Sequence, residues 1–277
     1  MQHQINLTNL SAAGVPLRYR FFKAQRQARG IIFFIHGYGT TSGYHDQAIN
    51  RLNQDYDYYT IELIGHGISF DDEQTNQKVD LNDNVEQICQ TIRHLIGTNK
   101  FYLIGHSMGG GIAMRVANQM NQQVLAYVSL TPMNSHLLSF GAIRNYFSFA
   151  PKNIKTCEKF VNKLTINPLT FRANRSQLFV QEYRYQRYYH QFFKKLKKSM
   201  YSWKNQKLCR QNEKQLQVPT LAIAADNDRL ISAKSVIKTF KNKPNCQIIV
   251  LKDCGHLVFW DQLNQYLDLV LDWFDKH

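Results

Sequence analysis

Long apolar runs are missing from this sequence. None approaches the ~18 consecutive apolar residues of a membrane-spanning helix, and the longest, such as Ile31–Ile35, have the length of a strand. The first residues, MQHQINLTNLSAAGVPLRYRFF, hold no apolar stretch of signal-peptide length. Cysteine is sparse: Cys89, Cys157, Cys209, Cys246 and Cys254 lie far apart and include no C-x-x-C pair. An odd number at such spacing argues against a disulfide framework or zinc site and for free, buried thiols. Internal repeats and low-complexity tracts are absent too. These absences set the expectation of a soluble, cytoplasmic protein, with peripheral contact to a membrane left open.

The material for a large core is present. Hydrophobic residues are 44% and aromatics 13% of 277 residues, which excludes wholesale disorder. Charge is uneven. Lys and Arg outnumber Asp and Glu by 34 to 20, a net +14, and such an excess points to an anionic partner. Its position is more informative than its sum. Residues 133–217 hold 17 Lys and Arg against three acids, Glu158, Glu182 and Glu213, so this segment carries the whole excess. The remaining residues hold 17 of each sign. The segment also holds 15 of the 35 aromatics. No recognised nucleic-acid motif accompanies it, so no nucleic-acid partner is expected.

Short β-branched and aromatic runs alternate with helical patterns. Strands are predicted at Ile31–Ile35, Tyr58–Leu63, Phe101–Ile104, Leu125–Leu130, Leu221–Ala224 and Ile248–Leu251. Helices are predicted at Tyr44–Leu52, 80–96 (closed by Gly97), Met108–Met120, Ser235–Phe240 and Asp261–Phe274. Alternation of this kind implies an α/β fold with a mostly parallel sheet, because each parallel crossover needs a helix. Residues 133–217 interrupt it and read as an insertion, leaving 1–132 and 218–277 as the core.

Gly105-His106-Ser107-Met108-Gly109 fits G-x-S-x-G between a predicted strand and a predicted helix. A sharp turn there exposes the central side chain, and the flanking positions must be small. Ser107 is the candidate nucleophile, with the helix N-terminus favouring developing negative charge. A serine hydroxyl needs a histidine to take its proton and an acid to orient that histidine. With a serine in this setting the partners follow as acid, then histidine. Asp226 and Asp228 follow one late strand and His256 the next, at the strand ends where open α/β sheets place their sites. Asp228 is preferred because Arg229-Leu230-Ile231 leads from it towards a helix; Asp226 would then cap or orient the loop. The oxyanion donors would be the Met108 N–H and one from His36-Gly37-Tyr38-Gly39, with Tyr38 the candidate. His36 and Gly37 read as support for that loop, and Gly65-His66-Gly67 as a turn beneath it.

Together HGYG at 36–39, GHG at 65–67, GHSMGG at 105–110, Asp228 and Gly255-His256 resemble the α/β-hydrolase superfamily, in its serine esterase/lipase branch with monoglyceride lipases and bacterial lysophospholipases. The resemblance spans about residues 20–132 and 218–277. It implies the α/β-hydrolase fold, a Ser107–His256–Asp228 triad and no metal or cofactor. Two features depart from the monoglyceride lipase pattern. HGYGTTSGYHD stands in place of HGxGEHSGRY, and Glu62 precedes the GHG turn where D-x-x-G-H-G is frequent. These weigh against a monoacylglycerol preference and leave ester chemistry intact. Ser107 argues against the aspartate-nucleophile epoxide hydrolases and dehalogenases of the fold.

Members of this superfamily differ in an inserted cap, and residues 133–217 occupy its place. Tyr185, Tyr188, Tyr189, Phe192, Phe193 and Leu196 form one helical stripe, which Met200 and Trp203 extend; Arg184, Arg187, Lys194, Lys195 and Lys198 lie opposite. This reads as an amphipathic basic helix. Either the stripe packs over the active site with the lysines in water, or the cap also touches anionic lipid headgroups. The expected activity is hydrolysis of acyl-lipid-derived carboxylic esters through an acyl-enzyme. The alternatives are thioester or carbon–carbon bond hydrolysis with the same triad, and a non-catalytic ligand-binding protein of the same fold.

Overall fold

The structure, a computed structural model, describes residues 17–67, 81–138, 154–174 and 190–277. Among them seven strands form one sheet: β1 (Tyr19–Phe22), β2 (Ile31–Ile35), β3 (Asp57–Ile61), β4 (Phe101–His106), β5 (Val124–Leu130), β6 (Thr220–Ala225) and β7 (Cys246–Leu251). Their order is β1-β3-β2-β4-β5-β6-β7. β1 runs antiparallel to β3, and every other pairing is parallel. The fold is the α/β-hydrolase fold.

Strand chemistry follows position in the sheet. β4 (FYLIGH) and β6 (TLAIAA) are buried along their whole length, as strands covered on both faces must be. On β2, Phe33 stacks on Tyr59 with ring centroids 4.8 Å apart, and Phe34 stacks on His45 at 4.1 Å. Successive side chains on a strand point to opposite faces, and burial of each phenylalanine contributes ~1.5–3 kcal/mol. Edge strand β1 is only half-buried; its four residues, YRFF, were not predicted as a strand.

The helices are α1 (Asp46–Leu52), α2 (Leu81–Ile96), α3 (Met108–Gln119), α4 (Ile154–Val161), α5 (Pro168–Asn174), α6 (His190–Met200), α7 (Trp203–Gln215), α8 (Ala233–Phe240), α9 (Val258–Asp261) and α10 (Leu263–Asp275). Two predicted helices are each divided. A 3-10 turn at Ser42–His45 precedes α1, and the helix predicted at Asp261–Phe274 is α9 and α10 with Gln262 between them.

β5 and β6 are adjacent parallel strands, and the chain joining them carries α4 to α7. α7 rests on α3. There Arg115 donates to Asn205 Oδ1 at 2.5 Å, and Asn118 Nδ2 donates to the Asn212 carbonyl at 3.0 Å. Phe192, Phe193, Leu196 and Met200 of α6 are buried, as their spacing predicts. Tyr185, Tyr188, Tyr189, Arg184 and Arg187 lie outside the described residues. Trp203 corrects the expected stripe: it is 77% exposed. Ser202 is extended and its side chain accepts the Asn205 N–H at 3.1 Å, capping a new helix and resetting the phase.

Cys89, Cys209 and Cys254 are buried and Cys246 half-buried, all as free thiols. Burial pushes the Cys89 thiol up to about 12, far from a reactive thiolate.

Candidate active site

Four strand ends build the site. β4 ends at His106, the chain turns sharply at Ser107, and α3 begins at Met108. Ser107 has φ 55° and ψ −123°, a conformation that costs energy for a non-glycine residue. The turn is fastened on both sides. The Ser107 N–H donates to the Leu130 carbonyl at 3.0 Å, and its own carbonyl accepts from the N–H groups of Gly110 (2.9 Å) and Met133 (2.8 Å).

The loop after β2 lies directly against this turn. A side-chain carbon at Gly37 would stand 3.0 Å from Ser107 Cβ, and one at Gly109 only 2.2 Å from the His36 carbonyl oxygen. Glycine at both positions lets His36-Gly37 lie against the turn from Ser107 to Gly109. Two buried neutral histidines shape that loop. His36 Nε2 accepts the Leu63 N–H at 3.1 Å, so Nδ1 carries the proton and donates to the Gly37 carbonyl at 2.8 Å. His66 Nε2 accepts the Gly39 N–H at 3.0 Å, and its Nδ1 donates to the Ile64 carbonyl at 2.9 Å. Burial lowers His36 to about 4 and His66 to about 3. The 3.4 Å approach of His36 Nε2 to Glu62 Oε2 is therefore no ion pair. Glu62 is itself pushed up to about 7 by burial, while Ser42 donates to its Oε1 from the hydroxyl and, at 3.2 Å, from the backbone.

On the other side, Asp228 follows β6 and His256 follows β7. His256 Nδ1 donates to Asp228 Oδ2 at 2.7 Å, both side chains being buried. Asp228 Oδ1 accepts the N–H groups of Leu230 (2.7 Å) and Ile231 (2.9 Å), which fixes the carboxylate plane. The Nδ1–H tautomer leaves His256 Nε2 as the acceptor a serine hydroxyl requires. Asp226 instead accepts the Cys254 N–H at 3.2 Å and the Asn227 side-chain amide at 2.8 Å, holding the loop.

Three supports were not legible in the sequence. His106 Nε2 donates to the His256 carbonyl at 3.0 Å, their rings 4.8 Å apart, which ties the histidine loop to the residue before Ser107. The Thr131 hydroxyl donates to the same carbonyl at 3.2 Å. Asp261 joins the His256 loop to the β5–β6 connection: Oδ2 accepts the Gly255 N–H (2.8 Å) and the Ile166 N–H (3.2 Å), and Oδ1 accepts from the Thr165 hydroxyl. The Leu257 N–H adds a 2.7 Å bond to the Leu164 carbonyl. The loop after β2 reaches the same connection, since the Tyr38 hydroxyl donates to the Phe193 carbonyl of α6 at 3.0 Å. Gly65, at φ 70°, lets α6 settle, because a side-chain carbon there would stand 2.2 Å from Phe192 Cζ. The only sequence signals were the variable histidine of G-x-S-x-G and an acid five residues after His256.

Residues 26–262 match the family described as serine aminopeptidase, S33. The chain belongs to that family. Its members share the α/β-hydrolase superfamily's fold, and this chain is a hydrolase of that superfamily. An esterase/lipase 2 of Mycoplasma genitalium is 25% identical over 270 residues, 92% of each protein. The human monoacylglycerol lipase ABHD6 is 21% identical, over 91% of this chain and 77% of the lipase. Among solved structures, the 2-hydroxy-6-oxo-6-phenylhexa-2,4-dienoate hydrolase of a Rhodococcus strain superimposes with a TM-score of 0.79 at 13% identity, covering 94% of each chain. A bacterial membrane phospholipase A superimposes with a TM-score of 0.75 at 17% identity, over 98% of this chain and 90% of that one. At such identities these structures share the fold.

Proposed function

We propose that this S33-family hydrolase is a serine esterase that cleaves carboxylic esters of acyl lipids through an acyl-enzyme. The observation that carries the reading is the 2.7 Å bond from His256 Nδ1 to Asp228, beside a serine held at φ 55°. The esterase and lipase names of its relatives support carboxylic esters as the bond class.

In the first step Ser107 Oγ attacks the ester carbonyl carbon while His256 Nε2 takes the hydroxyl proton. Asp228 stabilises the imidazolium and keeps the ring in register. The carbonyl oxygen becomes an oxyanion that accepts from the Met108 and Tyr38 N–H groups. Collapse breaks the carbon–oxygen bond to the alcohol, which leaves with the proton from His256. A water molecule then adds to the acyl-serine by the same route in reverse, giving the carboxylic acid and free Ser107. No cofactor enters this scheme. His36, Gly37 and His66 shape the oxyanion loop, and the chain at 133–217 acts as a cap, with Phe192 and Phe193 of α6, packed on His66, offering an apolar wall for an acyl chain.

The test is hydrolysis of p-nitrophenyl esters from acetyl to long-chain acyl by wild type and Ser107→Ala, alongside an acyl-CoA thioester and an aminoacyl amide. Preference for long-chain esters, lost in Ser107→Ala, supports the reading. Activity confined to acetyl esters would sink the lipid substrate, and preference for the thioester or amide would replace the bond class.

A further inference from the structure

α7 is amphipathic in an inverted sense. Its inward face is polar: Asn205, Gln206 and Cys209 are buried, where Asn205 and Cys209 meet Arg115 of α3. Its outward face presents Trp203, Lys207, Arg210 and Lys214, spaced i, i+4, i+7 and i+11 and all exposed. Those intervals trace one stripe along a helix. Trp203 begins the stripe at 77% exposure, an uncommon place for so large an apolar ring. The one acid on α7, Glu213, is turned away to Ser135, accepting its N–H at 2.6 Å and its hydroxyl at 2.7 Å. Among the described residues, no salt bridge involves Lys207, Arg210 or Lys214. Lys194, Lys195 and Lys198 of α6 are exposed just before the Ser202 break and add to the same basic region of the chain.

We infer that this face of α7 docks on the surface of an anionic phospholipid bilayer, with Trp203 entering the headgroup level and the stripe of cations meeting phosphate and carboxylate groups. Charge complementarity selects an anionic partner. Among the described residues of α6 and α7 the Trp203 indole is the one exposed aromatic ring, and a single ring on a cationic stripe selects lipid over nucleic acid. An indole with an apolar body and a polar N–H suits the membrane interface, whereas single-stranded nucleic acid is held in a groove with several stacking rings. The surface gains its purpose from the acyl-lipid reading above, because substrates of that class reside in the bilayer, but its test does not depend on catalysis.

The experiment measures binding of the full-length protein to phosphatidylcholine vesicles with and without phosphatidylserine, by cosedimentation and by the emission shift of tryptophan. The wild type is expected to bind only the anionic vesicles. Trp203→Ala should lower the partition coefficient by roughly tenfold, and the combined Lys207→Gln, Arg210→Gln, Lys214→Gln variant by about a hundredfold. Both variants should keep the wild type's circular dichroism spectrum and melting temperature, which establishes that they are folded, and hydrolysis of a soluble short-chain ester should be unchanged. Equal binding of wild type and variants, binding to neutral vesicles alone, or tighter binding to single-stranded DNA than to anionic vesicles would each overturn the inference. Loss of ester hydrolysis in the wild type would remove the catalytic reading and leave this one standing.

Discussion

The loop that carries His256 and the outer face of α7 handle polarity in opposite ways. Around His256 the polar groups that hold the loop meet partners at hydrogen-bond distance: Nδ1 on Asp228, the carbonyl on His106 and Thr131, the preceding N–H on Asp261. On α7 the cations of the outward stripe stand exposed beside an exposed indole. Satisfaction of buried groups fixes a geometry, because leaving one unpaired costs about 1–3 kcal/mol. Exposed cations fix nothing in the fold and remain available to a partner. The +14 charge and the hydrolytic chemistry are thus separable properties of one chain, and substitutions should separate them.

The largest effect is expected at Asp228. Asp228→Asn keeps an oxygen for the Leu230 and Ile231 N–H groups but loses the carboxylate that sets the His256 tautomer. Ester kcat should fall by about 10⁴, with vesicle binding unchanged; steady-state kinetics beside cosedimentation checks both. A fall of only a few-fold would mean that His256 is oriented by something else.

Asp261→Asn comes next, because it loosens the joint between the His256 loop and residues 164–166. It should lower kcat by about tenfold to a hundredfold, the cost of a small misplacement of a catalytic group, with a smaller change in KM. An equal loss in kcat of Asp228→Asn and of the Asp228→Asn/Asp261→Asn double variant would show that Asp261 acts through His256.

A subtler effect concerns pH. Burial depresses His36 to about 4 and His45 and His66 to about 3, from 6.5. The folded state then binds fewer protons than the unfolded one, so these groups stabilise above pH 6.5 and lose that contribution as pH falls towards 3 to 4. Glu62 is raised from 4.5 to about 7, so its contribution is full below 4.5 and is lost as pH rises through 7. Between pH 4.5 and 6.5 the two slopes oppose. Glu62→Gln removes the opposing one, and its melting temperature should fall more steeply on acidification across that window than that of the wild type.

Much of the core was legible because buried parallel strands are apolar runs and the candidate catalytic motifs sit at their ends. IIFFI, FYLIGH and TLAIAA announce themselves; YRFF does not, being short, half-exposed and at the edge. Asp228 could be preferred over Asp226 from the residues that follow it. The supports of His256 could not, because a backbone carbonyl held by His106 and a carboxylate reaching Thr165 are products of tertiary contact. Trp203 was misassigned for a local reason: spacing alone continues a helix through Ser202, whereas that serine caps the next one.

The proposed nucleophile, Ser107, can be identified chemically by labelling with a fluorophosphonate and mass spectrometry of the labelled peptide. One label per chain is expected, on Ser107, with ester hydrolysis lost in proportion to labelling and both label and activity absent in Ser107→Ala. Labelling at another residue, or ester hydrolysis that survives in Ser107→Ala, would contradict that assignment.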